Sequence, residues 1–132
     1  MSTLLHLAER RHWAAVAADG DYERSTRGAR LDEVGFVHGS TASQMSRVAD
    51  AVYGEVPASD LVLLVVDEAV LTERGIEVRW ENLDGGAELF PHLYGPLPAV
   101  AVVAALAVQV DASGRFTLPD LEGLDVRATP PV

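Results

Sequence analysis

The 132-residue chain contains no cysteine, which removes disulfides, thiolate nucleophiles and cysteine metal sites together. It also lacks lysine: all ten basic residues are arginine, set against twenty acidic ones, for a formal net charge of −10. Affinity for a polyanion comes mainly from basic side chains releasing counterions, so bulk nucleic acid is not an expected partner. No apolar run escapes charges or turn residues for long enough to cross a bilayer. The opening Met1-Ser-Thr-Leu-Leu-His6 shows neither the basic region nor the long apolar region of a secretion signal. The expectation is a cytoplasmic protein without a membrane partner.

What the chain has is 48% hydrophobic residues, enough for one core at this length. A single domain is expected over 1–121. Residues 122–132 are expected to form a flexible tail, because Ala128-Thr-Pro-Pro-Val132 offers no packing face.

The apolar, β-branched run Leu61-Val-Leu-Leu-Val-Val66 predicts a strand buried on both faces at the centre of a sheet. Thr3–Leu7 predicts an opening strand, and Glu9–Ala18 a helix closed by Gly20. Asp21–Val34 has no sustained period and reads as a loop able to cover a site, followed by a short strand at Gly35–His38. Thr41-Ala-Ser-Gln44 has capping-box spacing, and Met45, Val48, Ala49 and Val52 follow at helical intervals, so a helix is expected from Thr41 to Gly54. A connection with one helical turn follows at Asp67–Gly75, then an alternating strand at Ile76–Asn82 and a turn at Asp84-Gly-Gly86. Val100–Val110 is taken as a strand, and Ser113-Gly114 as a hairpin turn into Phe116–Leu118. The outcome is an α+β fold: a small mixed or antiparallel sheet with two N-terminal helices.

Glu88-Leu-Phe-Pro-His-Leu-Tyr-Gly-Pro-Leu97 places a carboxylate, an imidazole and a phenol around two prolines and a glycine that restrain the backbone. Glu88 is the leading catalytic carboxylate and Glu81 the second candidate. His6, His38 and His92 all fall where strands end or turns begin, which suggests one shared pocket with His38 as an acid or base. In His38-Gly-Ser-Thr41 the glycine permits close approach, and the helix start offers unpaired N–H groups to an anion, with Ser40, Thr41 and Gln44 alongside. Arg24, Arg27 and Arg30 could clamp a small phosphate or carboxylate, or simply form a solvated face. No His-Glu-x-x-His pair is present, so no metal is required, and no Gly-x-Ser-x-Gly elbow supports a serine hydrolase.

These motifs resemble those of a bacterial family, the domain of unknown function numbered nine-five-two. The resemblance covers Leu4 to Leu106. It rests on the opening Leu-His strand with Trp13, on Gly35-Phe-Val-His-Gly-Ser-Thr41 with Gln44, and on Leu61-Val-Leu-Leu with Asp67 and Leu71. Val78-Arg-Trp-Glu81 and Leu89-Phe-Pro-His-Leu-Tyr-Gly-Pro-Leu97 complete it. What it implies is a fold similar to that of ADP-ribosyltransferases, with NAD as the ligand. By resemblance His6, Ser40 with Thr41, and Glu88 take the nucleotide, nicotinamide-pocket and ribose positions; His38, His92 and Tyr94 are expected to complete the lining on the reading of the residues themselves. The family often has a threonine two residues past its first histidine and a cysteine after the second, where this chain has Ala8 and Gly39.

The leading expectation is an enzyme or binding protein, monomeric or homodimeric, that takes NAD or another small anionic nucleotide, with ADP-ribosyl transfer or glycohydrolysis as the chemistry if it is catalytic. A non-catalytic ligand-binding module and a metal-independent histidine phosphoesterase are the alternatives.

Overall fold

The run Leu61–Asp67 forms the central strand of a three-stranded antiparallel sheet. The computed structural model describes residues 2–26 and 29–131, and all that follows concerns those residues. In chain order the elements are β1 (Thr3–Glu9), α1 (Arg10–Ala14), β2 (Asp21–Tyr22), β3 (Arg24–Thr26), β4 (Ala29–Arg30), α2 (Leu31–Val34), β5 (Val37–His38) and α3 (Ala42–Tyr53). They continue with β6 (Leu61–Asp67), α4 (Glu68–Glu73), β7 (Glu77–Glu81), β8 (Phe90–Tyr94), β9 (Leu97–Pro98), β10 (Val102–Ala107), β11 (Gln109–Val110) and β12 (Phe116–Thr117). The order in the first sheet is β1-β6-β10.

Because β6 is covered on both faces, its side chains divide by alternation between two cores. Val62, Leu64 and Val66 join Leu4, Ala8, Leu71, Leu93 and Leu97 on one side. Leu61, Leu63 and Val65 join Leu5, Leu7 and the Met45, Ala49 and Tyr53 face of α3 on the other. Each fully buried leucine contributes about 2 kcal/mol through burial of its side chain, so this double layer is the mechanical base of the molecule.

A second sheet, β5-β8-β7, is joined to the first through an antiparallel bridge between Leu5 and Ser40. There the Leu5 N–H donates to the Ser40 carbonyl at 2.9 Å and the Ser40 N–H to the Leu5 carbonyl at 2.8 Å. The architecture is thus mixed α+β with antiparallel sheets and four helices.

Three expectations change. The helix expected over Glu9–Ala18 is only the five-residue α1, with no buried residue. Strand β1 runs on to Glu9, opposite Leu61, and the short alanine-rich remainder has little apolar surface to dock. The expected loop at Asp21–Val34 contains the short strands β2, β3 and β4, and α2, which closes on Gly35 in the left-handed region (φ 97°). Arg27 and Gly28, part of that expectation, lie outside the described residues.

The segment expected to be a free tail is instead tied down. Thr3 N–H donates to the Asp125 carbonyl, Arg127 N–H to the Thr3 carbonyl, and the Ala42 and Ser43 N–H groups to the Arg127 and Ala128 carbonyls. Leu121, Leu124 and Val126 pack on the second core, so alternate apolar residues gave this segment a packing face after all.

Candidate functional site

Strand alternation assembles the site. On β5, Val37 faces the core opposite Leu93 of β8, so His38 opposite His92 must face the other way. Phe36 and His38, Phe90, His92 and Tyr94, and Arg79 and Glu81 of β7 therefore share one face of the second sheet, since Arg79 pairs with His92 and Glu81 with Phe90. Phe36 stacks on the His92 ring at 4.0 Å between centroids, and the His38 ring stands edge-on to His92 at 5.0 Å.

That face forms the wall of a cleft of about 560 Å³. Phe36, His38, Gly39, Ser40, Phe90 and His92 line one side, Val48 and Val52 of α3 another, and Asn82, Leu83 and Asp84 the rim. The walls are mostly apolar with a few convergent polar groups, the usual character of a small-molecule site.

His92 is 4% exposed, and its Nδ1 lies 2.9 Å from Glu81 Oε1. An ionised carboxylate only accepts, so Nδ1 carries a proton, and in the neutral ring Nε2 is the acceptor. The Tyr94 hydroxyl donates to the same Glu81 oxygen. These hydrogen bonds, Tyr94 first and His92 second, hold the Glu81 carboxyl below the usual range, while Tyr94 is pushed up by its bond to Glu81. Arg79 lies over the Tyr94 ring at 4.2 Å. Burial and the neighbouring His92 lower the His38 pKa, so His38 is neutral at pH 7.

The other expected site residues are placed as follows. His6 does not line the cleft. It is fully buried one peptide away, its Nδ1 donating to the His38 carbonyl at 2.5 Å and its Nε2 lying 3.4 Å from the Tyr22 hydroxyl. Burial lowers its pKa to about 4. It braces the backbone that carries His38. Ser40 lines the cleft, while Thr41 is buried at the start of α3, its N–H donating to Gln44 Oε1 at 3.1 Å. Gln44 Nε2 donates to the Leu89 carbonyl at 2.7 Å and to Glu88. Gln44 is thereby committed to joining α3 to the chain before β8. Glu88 takes a two-pronged ion pair from Arg47, at 2.8 and 2.5 Å, and that pair holds its carboxyl below the usual range. The structure therefore brings His38, Ser40 and His92 together in the cleft with Tyr94 just behind, and leaves His6, Thr41, Gln44 and Glu88 outside it.

Glu81 is the carboxylate that the site engages. The signal for it was phase: Glu77, Arg79 and Glu81 alternate on β7 with Val78 and Trp80, as Phe90, His92 and Tyr94 alternate on β8. The distinction is testable by ring-nitrogen NMR. Glu81→Gln is expected to shift the His92 ring signals, and Glu88→Gln to leave them in place; equal responses would contradict this arrangement.

The start of α3 cannot serve an anion as expected. The N–H groups of Ala42 and Ser43, which would have cradled a phosphate, donate to the Arg127 and Ala128 carbonyls at 2.8 and 2.9 Å. Arg24 and Arg30 lie in a separate surface depression beside His12, Asp21 and Glu23, away from the cleft. Among the described residues no group of three or more His, Asp or Glu side chains is arranged to hold a metal ion, and no helix is long and apolar enough to cross a membrane.

The crystal structure of protein CC0527 from Caulobacter crescentus is 31% identical, with a TM-score of 0.67 over 87% of this chain and 93% of that one. The solution NMR structure of CC0527 is 33% identical, with a TM-score of 0.66 over 87% and 91% of the two chains. No curated protein matches. Residues 7–105 match a family model described as "Protein of unknown function (DUF952)". With three quarters of its length inside that model and a solved relative of similar size, the chain belongs to the DUF952 family.

Proposed function

We propose that the cleft binds a nucleotide by its ring, with NAD as the first compound to try, and that His92, oriented by Glu81, is the proton-transferring group. The observation that carries the reading is the aromatic-walled cleft ending on two histidines, one fixed in a single tautomer by a carboxylate. Phe36 and Phe90 contribute apolar aromatic surface to the cleft, where a heterocycle would pack. His92 Nε2 is left as an acceptor or base.

The ADP-ribosyltransferase-like fold implied by the family resemblance supports the nucleotide class. Of the residues that resemblance assigns, Ser40 is in the cleft, while His6 is committed to His38 and Glu88 to Arg47. The proposed chemistry is therefore glycohydrolysis by an activated water rather than stabilisation of a ribosyl cation by Glu88. The water oxygen bonds to the anomeric carbon, its proton passes to His92 Nε2, and the N-glycosidic bond breaks with its electron pair leaving on nicotinamide. A cytoplasmic location fits such a ligand.

The phosphates make little contribution in this reading, because the α3 donors are occupied and no arginine is among the described residues lining the cleft. The histidine phosphoesterase alternative loses its anion cradle for the same reason.

Calorimetric titration with NAD, ADP-ribose, adenosine and nicotinamide tests the proposal. We expect NAD to bind no more than about threefold tighter than its better-binding ring fragment. His92→Ala should weaken binding about tenfold, the value of one good hydrogen bond, and abolish any nicotinamide release. Binding without release would make the protein a ligand-binding module. Failure of all four compounds to bind would overturn the reading.

A further inference from the structure

We propose that the cleft selects a ring bearing positive charge or hydrogen-bond donors, and that the Asp84 carboxylate on its rim makes the selection. The inference rests on the ring-binding reading above and adds to it the sign of the ligand's charge.

The carboxylates near the cleft differ in what they already hold. Glu81 is engaged by His92 and Tyr94, and Glu88 by Arg47. Asp84 lines the cleft, and among the described residues its carboxylate has no ion-pair partner and no hydrogen bond. Only its backbone N–H is used, donating to Asn82 Oδ1 at 2.9 Å. The same Asn82 oxygen takes the Gly86 N–H at 3.2 Å, and the amide nitrogen donates to the Glu88 carbonyl at 2.8 Å. The rim is therefore a shaped turn rather than a loose one, with Gly85 supplying the left-handed residue (φ 85°) that closes it.

The group across the cleft that feels the Asp84 charge is the His38 ring, whose pKa Asp84 raises a little against the larger lowering by burial and His92. No arginine is among the described residues lining the cleft, and the burial that lowers the His38 pKa keeps that ring uncharged at pH 7. Phe36 and Phe90 add aromatic surface to the same space, which also favours a cation. Beside Asp84, Leu83 is 62% exposed, an apolar side chain left in water where a bound ring would cover it. One unpaired carboxylate, two aromatic walls and an uncovered leucine describe a ring carrying a positive charge or amide and amino donors, and they disfavour an anionic ring.

The test uses one six-membered ring at three charges: the methylnicotinamide cation, neutral nicotinamide and anionic nicotinate. Each is titrated by NMR against the wild type and against Asp84→Asn, which keeps the backbone turn. Affinity is expected to fall in that order by about threefold or more at each step, the scale of a screened charge interaction at a rim. Asp84→Asn should bring the cation and the neutral ring together. A cation preference that survives in Asp84→Asn would belong to the overall charge of −10 and overturn the assignment, as would equal affinities in the wild type. If none of the three rings moves the His38 or His92 signals, the ring-binding reading itself falls and takes this inference with it.

Discussion

Acidification from pH 7.5 to pH 5 is expected to cost the folded protein about 2 kcal/mol through His6 alone, approaching about 3 kcal/mol near pH 4. In the unfolded chain this imidazole titrates near its ordinary value of 6.5, whereas in the fold burial brings it down to about 4. Above pH 6.5 both states hold a neutral ring and the stability is fully present. As the pH falls below 6.5 the unfolded chain takes up a proton that the folded chain refuses, so stability falls with pH until about 4, where the folded protein also binds it. The loss is large against the 5–15 kcal/mol typical of a domain.

His38, whose pKa is also lowered by burial, adds to the loss in the same direction. Glu81 and Glu88, whose carboxyl pKa values are lowered, lose their contribution only as the pH falls through the ordinary carboxylate value of 4.5 and below, beneath the pH 7.5 to 5 comparison. His6→Gln keeps a donor for the His38 carbonyl and removes the titration. Urea midpoints at pH 7.5 and pH 5 should therefore lie much closer together in His6→Gln than in the wild type, the residual gap belonging to His38. An undiminished acid loss in the variant would show that His6 is not its source.

The sequence revealed those parts of the fold whose signal is local. The β6 run, the capping spacing at Thr41 and Gln44, and the Ser113-Gly114 turn each carry their own instruction, and α3, β6 and the β11–β12 hairpin lie where they were expected. Strand-end placement brought His38 and His92 together correctly, because opposed residues of paired strands share a face. The same rule, applied to β7, points to Glu81.

What was not legible depended on distant partners. Glu88 looked free beside its prolines, and only the fold brings Arg47 of α3 to it. His6 looked like a pocket residue, but β1 is inside the molecule between β6 and the Ser40 bridge, so its ring spends its donor on backbone. The start of α3 looked open because nothing local says that a segment more than eighty residues later supplies its capping carbonyls.

Ending the chain after Gly123 is expected to destabilise it by about 4 kcal/mol, although the deletion touches no central strand. Removing Leu124 and Val126 strips two apolar side chains from the second core, worth about 1–2 kcal/mol together when each is only partly buried. The Arg127 and Ala128 carbonyls that cap the Ala42 and Ser43 N–H groups go with them, at about 1 kcal/mol. The three hydrogen bonds between Thr3 and this segment, one of them from the Thr3 hydroxyl to the Leu124 carbonyl, are also lost, at about 1 kcal/mol more in all. Arg127 adds a smaller share through its hydrogen bonds to Glu68, at 2.6 and 3.3 Å, and its stacking on Trp80. Arg127→Ala alone should therefore lower the urea midpoint far less than the truncation does.

Amide hydrogen exchange separates the parts: Ala42 and Ser43 should exchange faster in the truncated chain, while Leu63 and Leu64 keep their protection relative to global stability. An unchanged urea midpoint in the truncated protein would mean that these contacts add nothing beyond what solvent supplies. Freeing the α3 N–H groups beside Ser40 would also create the anion site that the intact chain lacks. The truncated protein should then gain affinity for inorganic phosphate that the full chain does not show.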